Sequence, residues 1–197
     1  MSEPLPTTTV QPLPAHWGTT STPLAWPWSE ITPLPPLILA DGSAPAREQT
    51  TVRLTYDREA LHVHFDCYDT DIWGISTARD SAIYDEEVVE IFIAPGTDTP
   101  TFYYEFEVSP LGTLLDLTVY SPTGTRDGLV ADFAWDCPGI VWHAHADPPI
   151  TAGKPICTYP GVQSVRRTSC RPTGGPTFIA SSVRAAASRS LAAGRPL

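Results

Sequence analysis

The sequence predicts an all-β protein, an antiparallel β-sandwich of the jelly-roll-like kind. Short segments of alternating polar and apolar residues follow one another from Thr51 to His145, without helical periodicity. Turn-forming pairs and prolines separate them, and 22 Pro with 13 Gly fit many short strands better than long helices. Six Trp, seven Tyr and six Phe are enough to fill a substantial core.

Taken in order, residues 1–36 form a Pro/Thr-rich segment with Trp17, Trp26 and Trp28, expected to pack along a sheet edge rather than stand alone. Asp41-Gly42 marks a turn. Thr51–Tyr56 alternates as a strand, Asp57–Ala60 connects, and Leu61–Cys67 returns, with Leu61, Val63, Phe65 and Cys67 inward and His62, His64 and Asp66 outward. Asp69 and Asp71 open a loop that passes Trp73 and reaches Arg79-Asp80. Glu87–Ile93 is the next strand, closed by Pro95-Gly96. Phe102–Val108 follows, then a tight turn over Ser109–Thr113, then Leu114–Tyr120. Gly139–His145 is the last segment with strand character.

Residues 37–149 therefore make the sandwich, and the pattern stops before the fold is complete. Residues 150–197 read as a basic low-complexity tail, either disordered or translated in a shifted frame, so the sandwich is expected to lack its last strands. Charge divides at the same place. Residues 1–150 hold all 22 acidic residues against five Arg, a net −17, whereas residues 151–197 hold Lys154 and six Arg with no acid, a net +7. Asn is absent and Lys154 is the single Lys, a bias toward GC-rich codons.

An acidic body repels phosphate and excludes nucleic acid as partner. The longest purely aliphatic run, Leu37–Ala40, is far too short to span a bilayer, so no membrane partner is expected. The first residues carry no basic and then apolar stretch, which makes a cytoplasmic location the default. Cys67, Cys137, Cys157 and Cys170 contain no C-x-x-C spacing and read as buried free thiols.

The chemistry is concentrated between Tyr56 and Asp116. In Tyr103–Val108, alternation puts Tyr104, Phe106 and Val108 on one face and Tyr103, Glu105 and Glu107 on the other. Aromatic rings cover the C–H faces of a sugar and carboxylates accept from its hydroxyls, so this face suits an oligo- or polysaccharide. Glu105 and Glu107 lie about 6–7 Å apart along the backbone, within the range of an inverting glycosidase. No deep cleft accompanies them, and no nucleophile elbow or phosphate loop occurs, so no catalytic residue is assigned. Asp69, Asp71, Asp80, Asp85, Glu86 and Glu87 supply hard oxygen ligands of the kind Ca²⁺ takes, Asp69, Asp71 and Asp85 foremost, although the spacing is not that of an EF-hand. His62 with His64, and His143 with His145, are two-apart pairs that would hold a transition metal only if their strands were adjacent.

The succession Leu61-x-Val-x-Phe65, Asp69-x-Asp71-Ile72-Trp73, Thr77-x-Arg79-Asp80 and Tyr84-x-x-Glu87-x-Val89-Glu90-Ile91-Phe92-Ile93 resembles the family 9 carbohydrate-binding modules and their family 9-like, DOMON-like relatives. Tyr103–Val108, Pro110-x-Gly112-Thr113 and Trp135-x-Cys-x-Gly139 continue the resemblance, which spans roughly residues 35–147. It implies a sugar-binding sandwich of bacterial type, often attached to xylanases and other glycoside hydrolases in carbohydrate catabolism, with structural Ca²⁺ common. It also implies a stacking role for Tyr84, six residues before Glu90, and hydrogen bonding to sugar hydroxyls by Glu90, with Glu105 and Glu107 on the next strand. Arg79 is carried over as a further contact or as the neutraliser of Glu90 or Glu105, and Trp73 as a rim aromatic. A haem-binding redox module is the alternative within the DOMON-like group, but such modules use Met and His as axial ligands and Met1 is the single Met. A truncated, non-functional remnant is the third expectation.

Overall fold

The computed structural model describes residues 8–17, 23–39, 42–69, 72–95 and 101–146 in full, and residues 161–167 and 180–188 as backbone. It is the expected β-sandwich, and no α-helix occurs among the described residues. The strands are β1 (Gln11–Pro12), β2 (Thr50–Tyr56), β3 (Leu61–Cys67), β4 (Val88–Pro95), β5 (Phe102–Val108), β6 (Leu114–Tyr120), β7 (Val130–Asp132), β8 (Ile140–His145), β9 (Gly161–Arg167) and β10 (Ala180–Ser188).

Two five-stranded sheets are ordered β1-β2-β3-β9-β8 and β10-β4-β5-β6-β7. All neighbours are antiparallel except β1, which pairs parallel with β2. Strands β9 and β10 come from the basic region where the sequence shows no apolar alternation, and each adds to a different sheet. Their pairing is carried by backbone hydrogen bonds, which every non-proline residue supplies regardless of side chain.

Between the sheets lies the core. Val52, Leu54, Val63 and Phe65 of the first sheet meet Val89, Ile91, Ile93, Phe106, Val108 and Leu114 of the second, with Cys137 beside them. These are the inward positions of the alternating strands, each stabilising the fold by about 1.5–3 kcal/mol on burial. Trp135 closes one side of this core against Tyr104 and Phe106, with ring centroids 5.1 and 6.1 Å away.

The N-terminal segment does more than follow a sheet edge. β1 runs along β2, while Trp17, Trp26, Trp28 and Ile31 form a separate cluster over the outer face of β2 and β3. Trp26 meets His62 edge-on at 4.8 Å and Trp28 stacks on His64 at 4.9 Å. The two histidines point outward as alternation requires, yet they are buried, with relative exposures of 1% and 7%. His62 Nε2 bonds Asp57 Oδ2 at 3.0 Å.

The turn from β5 to β6 is the expected Ser109–Thr113 turn. The Gly112 amide donates to Ser109 O at 2.9 Å, and Gly112 has φ +82°, a left-handed conformation that glycine adopts without strain. Trp142 Nε1 donates to Gly112 O at 3.0 Å, tying this turn to β8.

Candidate functional site

The outer face of the β4-β5-β6-β7 sheet carries the candidate site. Register places Glu90 opposite Glu107 and Phe92 opposite Glu105 across β4 and β5. On the other side of β5, Glu107 lies opposite Leu115, Glu105 opposite Leu117 and Tyr103 opposite Val119. Alternation thus sends Glu90, Phe92, Tyr103, Glu105 and Glu107 to one face, as expected for β5.

That face is not an open plain. A 3-10 turn over Ile83–Asp85 folds onto it, inserting Ile83 (0% exposed) among Val88, Leu115, Leu117 and Val119. The apolar half of the face is thereby a second small core. The other half is acidic. Glu107 is buried, Glu90 and Glu105 are half-buried, and Asp85 is exposed at the turn.

The segment before the turn is anchored by carboxylates. Glu86 accepts from the Ile75 and Ser76 amides at 2.7 and 3.0 Å and from Ser76 Oγ at 2.5 Å. Glu87 Oε2 accepts from the Trp73 amide at 3.0 Å. A Cβ at Gly74 would stand 3.0 Å from Leu111 Cδ1, so a side chain there would need the Leu111 side chain to shift. Glu86 and Glu87 are buried carboxylates that hold backbone in this way.

Electrostatics sets the carboxylates of the site apart. Burial raises the Glu105 carboxyl above the ordinary range, and its hydrogen bond with Glu107 partly offsets this. Burial, followed by the charges of Glu90 and Glu105, pushes Glu107 up to about 9, with Asp85 contributing. Like charges this close oppose one another's ionisation, which together with burial favours the neutral form of Glu107. Glu107 Oε2 is buried with no hydrogen-bond partner among the described residues.

Tyr84, at the centre of the 3-10 turn, is 46% exposed. Phe133, just beyond β7, is 47% exposed, and its ring centroid stands 6.4 Å from that of Tyr84. Phe133 continues the outward alternation of Ala131, which lies opposite Val119. The sequence carries one signal for it, an aromatic two residues before Trp135 in a segment already matched for other reasons, but its pairing with Tyr84 depends on β7 joining the sheet.

Arg79 is placed elsewhere, which corrects its expected role beside Glu90 or Glu105. Asp116 is an inward residue of β6, opposite Phe106, and Arg79 Nη2 pairs with it on that side. Arg79 also bonds Asp136, through Nε at 2.8 Å and Nη2 at 2.7 Å, and approaches Asp80 at 3.5 Å. Its guanidinium lies 5.5 Å from the Trp142 ring centroid. Burial raises the Asp116 carboxyl even though the Cys137 amide and Arg79 both favour its charge.

The acidic group that converges most tightly is therefore Asp80, Asp116 and Asp136, with ligand oxygens within 4.8 Å of one another. The Arg79 guanidinium already occupies the middle of it, so the trio does not fit a Ca²⁺ site. Asp85 stands by Glu107, Asp69 raises the Cys67 thiol from the end of β3, and Asp71 lies outside the described residues. Trp73 is half-buried on the loop that Glu87 anchors.

The histidine pairs do not assemble. β9 separates β3 from β8, with Ser164 between His64 and His143, and the tryptophan cluster covers His62 and His64. Of the cysteines, Cys67 is free, but Cys137 is disulfide-bonded, which corrects the expectation of free thiols; Cys157 and Cys170 lie outside the described residues. No helix of the described residues is long and apolar enough to cross a membrane.

No family model matches the chain. It is 32% identical over 127 residues to a protein of the fungus Arthroderma benhamiae described as "Extracellular protein". The matched region is 61% of this chain and 54% of that one, so the chain spans about half the length of the curated relative it matches. The fold is similar to the crystal structure of a "putative carbohydrate-binding protein" from Bacteroides uniformis, with a TM-score of 0.52 at 15% identity, covering 71% of this chain and 61% of the other. At that identity the likeness is one of fold.

Proposed function

We propose that this chain is a non-catalytic saccharide-binding module whose site is the outer face of the β4-β5-β6-β7 sheet. The observation that carries this is the pairing of Tyr84 and Phe133, two half-exposed rings 6.4 Å apart, beside a strip of carboxylates on the same face. A pyranose stacks its C–H face on Tyr84 and Phe133, while Glu90 and Glu105 accept from its hydroxyls. Glu107 acts from beneath as the partner that fixes the Glu105 carboxyl. Trp73 and Arg79 have no part in this contact set, Arg79 being committed to Asp116 and Asp136.

The fold similarity to a protein described as carbohydrate-binding supports the same reading, and so do the motifs shared with the family 9-like modules. Attachment to a polysaccharide-degrading enzyme follows as part of the proposal. The Cys137 disulfide and the similarity to an extracellular protein favour an exported location over the cytoplasmic default.

Binding of cello-, xylo- and chito-oligosaccharides, measured by calorimetry, tests it. At least one series is expected to bind, with the modest affinity of a shallow polar site. Absence of binding across the three would overturn the proposal.

A further inference from the structure

The aromatic surface of this face does not end at Tyr84 and Phe133. On the β4 and β5 side of the same face, Phe92 and Tyr103 form a second pair, with ring centroids 5.8 Å apart and planes inclined by 69°. Both are half-buried, so each keeps part of its surface in solvent. Tyr103 packs against the small core filled by Ile83, the residue before Tyr84, so apolar surface runs on from one pair toward the other. Glu105 lies beside both rings of the second pair, opposite Phe92 across the strands and two residues along β5 from Tyr103. Strands β4 and β7 are three strand spacings apart in the sheet, a separation of about 14 Å.

A cross-strand aromatic pair strengthens a sheet by packing. Here the pair also has a carboxylate beside it and leads toward two more rings that are about half exposed. That is the arrangement a sugar chain needs. Rings cover the apolar C–H faces of successive sugars, and the hydroxyl rims between those faces donate to an acceptor.

We infer that Phe92 and Tyr103 form a second sugar subsite, and that the site takes one extended oligosaccharide chain lying across β4 to β7 rather than a single sugar. This rests on the saccharide reading above and deepens it. One sugar of the chain stacks on Tyr84 and Phe133. A later one covers Tyr103, with Phe92 at its edge, and Glu105 accepts from a hydroxyl of the sugar over β5.

The experiment is calorimetric titration of the full chain with the dimers and hexamers of the cello-, xylo- and chito-oligosaccharide series, repeated on two variants. In a series that binds, the hexamer is expected to bind roughly tenfold more tightly than the dimer, the gain from one further stacked ring. Tyr103→Leu, which keeps an apolar side chain against the Ile83 core, should remove most of that gain, whereas Tyr84→Ala should weaken both lengths. Circular dichroism checks that each variant folds, and Phe92→Leu takes the place of Tyr103→Leu if the latter does not. Equal affinity of dimer and hexamer for the wild type, or an unchanged hexamer-to-dimer ratio in the folded variant, overturns the second subsite while leaving the saccharide module standing. No binding in any series overturns both readings.

Discussion

Arg79 pairs with Asp116, a carboxylate without any exposed surface, on the face of the β4-β5-β6-β7 sheet opposite to Glu105. The same Asp116 accepts from the Cys137 amide through its other oxygen at 2.6 Å. One buried carboxylate thus ties together the loop before β4, the strand β6 and the segment leading to β8.

Removing the cation should be costly. Arg79→Met leaves Asp116 buried with the Cys137 amide as its remaining partner, and a loss of about 2–3 kcal/mol is expected, less than the full penalty for a broken buried pair because Arg79 itself is partly solvated. Chemical denaturation of the variant checks this. A loss below about 0.5 kcal/mol would show that the pair contributes no more than a surface ion pair.

Tyr84→Ala and Phe133→Ala should each weaken saccharide binding by roughly tenfold or more, since each removes a ring whose contact with an apolar sugar face is worth about 1.5 kcal/mol. Both rings are about half exposed, so neither change should lower the melting temperature by more than about 2 °C. Unchanged affinity in both variants would remove the stacking platform.

Stability should respond to pH through two buried groups acting in opposite directions. His64, whose pKa burial lowers from 6.5 to about 4, binds a proton in the unfolded chain first, so its contribution is present above pH 6.5 and is lost as the pH falls toward 4. Glu107, raised from 4.5 to about 9, keeps its proton in the fold, so its contribution is full below pH 4.5 and is lost as the pH rises toward 9. Each slope is at most about 1.4 kcal/mol per unit. Between pH 4.5 and 6.5 the two offset each other, and from pH 6.5 to 9 stability should fall. Urea unfolding across this range should show that decline in the wild type and its flattening in Glu107→Gln. A decline that persists in the variant would assign it to another group.

Cys67 should react slowly in the folded protein although it is only half-buried. Burial pushes its thiol up to about 12, with the nearby Asp66, Asp69 and Glu87 adding to the shift, so little thiolate exists at about pH 8. A thiol reagent at about pH 8 is expected to modify Cys67 at least roughly tenfold more slowly in the folded protein than in the urea-unfolded chain, read by mass spectrometry of the peptide that contains it. Equal rates in the two states would contradict the raised thiol.

Alternation in the sequence determined the sandwich, the places of β2 to β6 to within about two residues at each end, the Ser109–Thr113 turn and the face on which Glu105 and Glu107 lie, because strand side chains take sides by position alone. The candidate aromatic Tyr84 came instead from the resemblance to the family 9-like modules, which points to the residue six before Glu90. Partnership across the chain was decided only in three dimensions. His62 and His64 read as solvent-facing until Trp26 and Trp28 cover them, and Arg79 reads as a neighbour of Glu105 until Asp116 and Asp136 take it. Phe133 joins Tyr84 because β7 pairs with β6, and β9 and β10 enter the sheets through backbone hydrogen bonds that leave no apolar signature. Local periodicity records which way a side chain points; what it meets there depends on segments tens of residues away, and the sequence pattern does not encode that distance.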